Sequence, residues 1–148
     1  MPRLKGHLKK VKKGNLKALL NIPNNCIHRG GRLKKDSGTI VCPSYIIIEH
    51  DGCVASSGCD AVAVHWGKRR ALLIEVKCGN ISQHDARKAV RQLRACYAYY
   101  KDKLKSFEFI PIFLKERGKR LEIYARKELD GMKGLLRKNS GDDLSLIK

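Results

Sequence analysis

Apolar positions in this chain fall into short runs separated by charged or glycine-containing breaks, and their spacing switches between a period of two and steps of three and four. Residues 45–49, Tyr-Ile-Ile-Ile-Glu, form a β-branched run that predicts a strand. In residues 60–65 the side chains alternate, Asp60, Val62 and Val64 on one face and Ala61, Ala63 and His65 on the other. Residues 71–77 are apolar over nearly their whole length, which predicts a central strand, with Leu73, Glu75 and Lys77 projecting to one side. The basic segment 66–70 predicts a hairpin turn between these two strands. After Ser82, a good N-cap, Ala86, Ala89, Val90, Leu93, Tyr97, Tyr100 and Leu104 recur at helical steps and predict one long helix. Arg87, Arg91 and Arg94 line one of its flanks; Asp85, Gln92 and Cys96 line the other. Two further strands are predicted at 107–113 and 121–124, with Pro111 marking the first as an edge or bulged strand. A short helix at 128–136 and a frayed polar tail complete the pattern. These elements predict an α/β protein with one core domain at 41–138, a basic arm at 1–40 with a short helix at 15–20, and a polar tail at 139–148.

Pairing the two central strands through the turn at 66–70 sets the start of one beside the end of the other. Asp60 therefore converges on Glu75 and Lys77. Three charges in the most apolar part of the chain cost folding free energy unless they are paired, hydrated or bound to a metal. Two carboxylates beside a lysine suit phosphodiester hydrolysis with a hard divalent cation. Asp60, Glu75 and the backbone carbonyl of Val76 offer the oxygen ligands that Mg²⁺ prefers, and Lys77 is placed to orient the attacking water or to answer charge developing on the phosphate. Small residues at 55–58 and the turn residues His50 and Asp51 lie nearby in sequence, where an ordinary connection accounts for them.

Charge names the partner this chemistry calls for. The 148 residues carry 32 Lys and Arg against 14 Asp and Glu, a net charge of +18, which attracts polyanions at long range. DNA is the expected partner. Lys9, Lys10, Lys12 and Lys13 in the arm, Arg29 and Arg32 flanking two glycines, and Arg87, Arg91 and Arg94 on the helix are the candidate phosphate contacts. No apolar run approaches the roughly 20 residues that span a bilayer, and the basic start has no apolar stretch behind it, so an intracellular protein without a membrane partner is expected. The six cysteines contain no CxxC pair, and free thiols are the expectation for most of them. Two alternatives stay open, a disulfide between Cys53 and Cys59 and an iron–sulfur cluster on Cys42, Cys53, Cys59 and Cys78.

Asp60, the Glu75-Val76-Lys77 strand end and the long helix after it resemble the PD-(D/E)xK nuclease superfamily. That resemblance implies a restriction-endonuclease-like core of αβββαβ order, a central mixed sheet flanked by helices, here behind a basic N-terminal extension. It also implies Mg²⁺ or Mn²⁺ on Asp60 and Glu75, with Lys77 assisting the water. Cys59 stands where a proline commonly precedes the Asp. Gln92 is similar to a glutamine of exonuclease-like members, although Cys96 replaces the tyrosine that follows it there, so Gln92 is expected to support the ligands from behind. Ser56-Ser57-Gly58 and Leu73-Ile74-Glu75-Val76-Lys77 look most like small archaeal Holliday-junction-resolvase-like endonucleases, which implies a homodimer. Those enzymes carry a further glutamate on their first helix. No acidic residue precedes Asp36 in this chain, and Glu49 is the candidate to take that place. The expected function is a metal-dependent deoxyribonuclease. The alternative is a non-catalytic nucleic-acid-binding protein on the same fold, its three charges a structural ion pair.

Overall fold

The computed structural model describes residues 20–36 and 38–147. Lys9, Lys10, Lys12 and Lys13, and all of the helix expected at 15–20 except Leu20, lie outside them. Eight strands are described: β1 (Ile27–His28), β2 (Arg32–Lys35), β3 (Gly38–Val41), β4 (Ile46–Glu49), β5 (Ala61–His65), β6 (Arg70–Lys77), β7 (Glu108–Lys115) and β8 (Leu136–Asn139). The two α-helices among the described residues are α1 (Gln83–Tyr100) and α2 (Ile123–Asp130).

Six strands make one mixed sheet in the order β1-β4-β5-β6-β7-β8. The pairs from β1 to β6 are antiparallel, and β7 and β8 run parallel to β6. The protein is therefore α/β. Its centre is β6, buried at every position between its two ends, as expected of a strand covered on both faces. Alternation sorts the side chains. Val62, Val64, Ala71 and Leu73 face α1 and meet Leu93, Cys96 and Tyr100. Ala61, Ala63, Leu72, Ile74 and Val76 face the other way, against Leu33 and Ile40 of the separate β2–β3 hairpin. A capping box starts α1: the Ser82 hydroxyl accepts from the Asp85 N–H, and the Asp85 carboxylate accepts from the Ser82 N–H. Ala86, Ala89 and Val90 of α1 then pack with Phe113 of β7 and with Ala125 and Leu129 of α2. No described helix is long and apolar enough to cross a membrane.

Several elements differ from the expectation. Residues 24–40, placed in the basic arm, hold a 3₁₀ turn, two strands and most of a third that ends at Val41. Only one residue in two of β2 faces inward, Leu33 among Arg32, Lys34 and Lys35, so the strand resembles a charge run. The strand expected at 121–124 is a helix from Ile123, whose Ala125 and Leu129 are buried four residues apart; Leu121 keeps only an isolated bridge to Ile81. The helix expected at 128–136 ends at Asp130 and gives way to β8. The tail is held down: Leu144 is buried against the β2–β3 side of the sheet, and Ser140 accepts from the Thr39 N–H at 2.8 Å. Pro111 sits in the interior strand β7, but β8 pairs only from Ile112 onward. The half of β7 that holds the proline is thus an open edge.

The cysteines also depart from the expectation of free thiols. Cys26 is joined to Cys53 and Cys59 to Cys96, each with Cα atoms 5.7 Å apart. Cys53 and Cys59 are therefore not joined to each other, and two of the four sulfurs considered for an iron–sulfur cluster are committed elsewhere. Cys42 and Cys78 are free.

Candidate metal centre

Asp60 lies just before β5, where Ala61 pairs with Ile74 of β6. That register carries the Asp60 carboxylate across to the residue between Glu75 and Lys77: its Oδ2 accepts from the Val76 N–H at 2.7 Å. Glu75 and Lys77 project from the same face of β6 as Leu73, toward the helix side. Both carboxylates are buried, Asp60 7% and Glu75 5% exposed. Lys77, at the strand end, is half-buried.

Electrostatics make this pair unusual. Burial pushes the Glu75 carboxyl up to about 9, the neighbouring Asp60 charge adds to the rise, and Lys77 opposes it. Burial also raises Asp60, offset by the Val76 N–H and by the charge of Lys35. Although Asp60 is within hydrogen-bonding reach of Glu75, Glu75 Oε1 is buried with no hydrogen-bond partner among the described residues. A buried acceptor left empty is costly. A divalent cation fits that arrangement: it would occupy the orphaned oxygen and remove the repulsion between the carboxylates, and an all-oxygen donor set suits Mg²⁺ or Mn²⁺. No three His, Cys, Asp or Glu side chains among the described residues form a complete cage; Mg²⁺ characteristically keeps several waters.

The loop from His50 to Asp60 is fastened to α1 at three points. The His50 ring contacts the Tyr100 hydroxyl and the Ser57 carbonyl, both at 2.9 Å, and burial favours its neutral form. The Gly58 N–H donates to Gln92 Oε1 at 2.9 Å. Cys59 is bonded to Cys96. Gly58 has φ +111°, and a Cβ there would meet His50 Nε2 at 2.6 Å, so the close approach of loop and ring requires glycine. Gln92 thus acts on the centre through the loop that delivers Asp60.

Glu49 has two basic neighbours. His28 Nε2 and Lys35 Nζ each lie 3.3 Å from its carboxylate oxygens, and Lys35 also donates to the Asp51 carbonyl at 2.9 Å. The charges of Lys35, expected in the arm, of Asp36, and of Asp51, expected in a turn, all act on Asp60. The folding of the β2–β3 hairpin onto the sheet brings Lys35 and Asp36 there, which no local sequence signal announces, whereas Asp51 stands in the loop that delivers Asp60. Of the candidate phosphate contacts, Arg29, Arg32, Arg91 and Arg94 are exposed, while Arg87 Nε donates to Glu128 at 2.8 Å. Comparison of the chain with protein-family models, with curated proteins and with solved structures finds no match.

Proposed function

We propose that the protein is a divalent-metal-dependent nuclease that hydrolyses DNA phosphodiester bonds. The observation that carries this reading is the pair of buried carboxylates, Asp60 and Glu75, one of them with an orphaned oxygen, set beside Lys77 at the end of a central strand. Further support comes from the element order: β4, β5 and β6 antiparallel, then α1, then β7 parallel to β6, the βββαβ part of the αβββαβ order that the PD-(D/E)xK resemblance implies. The charge of +18 suits a polyanionic substrate.

Asp60, Glu75 and the Val76 carbonyl would hold Mg²⁺ or Mn²⁺, which supplies charge neutralisation at the phosphate and makes water acidic enough to serve as the nucleophile. The Val76 N–H fixes the Asp60 carboxylate so that little reorganisation is needed on binding. Lys77 brings an ammonium to the same strand end, where it orients the attacking water and answers the charge gained by the phosphate oxygens. Gln92, holding Gly58, keeps the loop and hence Asp60 in place. Exposed Arg29, Arg32, Arg91 and Arg94 hold the backbone of the nucleic acid.

Incubation with linear, nicked, single-stranded and four-way-junction DNA in Mg²⁺, Mn²⁺ or EDTA tests the reading. Cleavage in either metal, absent in EDTA and lost in Asp60→Ala, Glu75→Ala and Lys77→Ala, is the expected result. Cleavage that survives all three substitutions overturns the site, and binding of DNA without cleavage of any substrate favours a non-catalytic binding protein.

A further inference from the structure

Where α2 packs across α1, the two helices leave a cleft of about 400 Å³, within the range of small-ligand sites. Gln83, Val90 and Arg94 form its α1 wall, and Tyr124, Lys127 and Glu128 its α2 wall. The one carboxylate is already answered, since Glu128 accepts from Arg87 at 2.8 Å and from Gln83 at 3.1 Å. Arg94 and Lys127 are exposed and set the sign of the field. Tyr124 is 58% exposed, unusual for a large ring beside a hydrophobic contact, and the Lys127 ammonium lies 5.5 Å from its ring centroid. Val90 makes the floor apolar.

The cleft also has a position. β6 ends at Lys77 and α1 opens at Gln83 after a five-residue loop. One end of the cleft therefore lies by the strand end that carries the candidate centre. An aromatic plate, an apolar floor and two cations select a ligand that has both a flat face and negative charge. A peptide helix would use the floor but not the cations, and a bare duplex the cations but not the ring.

We propose that the α1–α2 cleft is a subsite for an unpaired nucleotide, Tyr124 stacking on the base and Arg94 and Lys127 contacting the flanking phosphates. It takes from the nuclease reading only that nucleic acid is the substrate. The preferred DNA would therefore carry a single-stranded segment.

Binding of fluorescent oligonucleotides in EDTA tests this without any dependence on cleavage. A blunt duplex and the same duplex with a single-stranded tail are titrated with wild type, Tyr124→Ala, Tyr124→Phe and the double variant Arg94→Ala/Lys127→Ala. The wild type is expected to prefer the tailed duplex, Tyr124→Ala to lose about tenfold of that preference and Tyr124→Phe to keep it. On the tailed duplex, the double variant, which loses two phosphate contacts to a single strand, is expected to flatten the slope of log affinity against log salt by about 1.4. An equal preference in wild type and Tyr124→Ala overturns the subsite and leaves the nuclease reading standing. Tail preference that depends on Tyr124 in a protein that cleaves nothing sustains the subsite and sinks the nuclease.

Discussion

The Asp60 carboxylate is tied to the backbone of Val76, its Oδ2 2.7 Å from the N–H of the residue between Glu75 and Lys77. One side chain thus has two duties, pairing a buried amide and contributing charge to the centre. The two separate by substitution. Asp60→Asn keeps an acceptor for Val76 and is expected to fold normally while losing at least about a hundredfold in cleavage. Asp60→Ala leaves the amide empty and is expected to cost a further ~1–3 kcal/mol of stability. Thermal melts beside cleavage assays check both; equal stability of the two variants would contradict the hydrogen bond's importance.

Glu75 sets a pH dependence of stability. Its carboxyl stands at about 9 in the fold against 4.5 ordinarily, so the native state binds the proton more tightly. Stability from this group is fully present below the ordinary value and is lost as pH rises through the raised one. In EDTA, the wild-type melting temperature is expected to fall between pH 5 and 9, and Glu75→Gln to flatten that fall and to be more stable at neutral pH by about 1–3 kcal/mol. Parallel pH profiles for the two proteins would remove Glu75 as the cause.

Gln92 positions the loop by accepting from Gly58. Gln92→Ala is expected to lower kcat about tenfold while leaving KM nearly unchanged, and Gln92→Glu, which keeps an acceptor oxygen, to restore much of it. An effect on KM alone would point to a role in holding DNA.

The Cys59–Cys96 bond closes a sequence separation of 37 residues. Loop closure of that length is worth about 4 kcal/mol. Replacing both cysteines by serine is expected to lower the melting temperature by several degrees, and cleavage to fall as well, because the residue beside Cys59 is Asp60. Identical melting of the oxidised wild type and the double variant would argue against the bond.

How much of this was legible depends on where the determining contacts lie. β4, β5 and β6 were readable because each is an apolar run of its own, and the meeting of Asp60 with Glu75 followed from one short turn. The helix after Ser82 announced itself by period and by cap. By contrast, the Arg32–Lys35 strand hides one inward leucine among three charges, and the Leu121–Tyr124 segment alternates like a strand although Ala125 and Leu129 commit it to a helix. Disulfide partners are a matter of spatial meeting, which spacing along the chain does not encode. Part of the surroundings of Asp60 was unreadable for the same reason: Lys35 and Asp36 reach it only through the hairpin packed on the opposite face.

β7 ends on one side as a half-covered strand, since β8 begins pairing at Ile112. An uncovered strand edge invites a second chain to add to the sheet. Pro111 has no amide hydrogen to offer such a visitor, and Glu108, exposed at the strand's start, places a charge in its path. The same proline that looks misplaced in an interior strand therefore stands, buried, where no β8 partner asks it for a hydrogen.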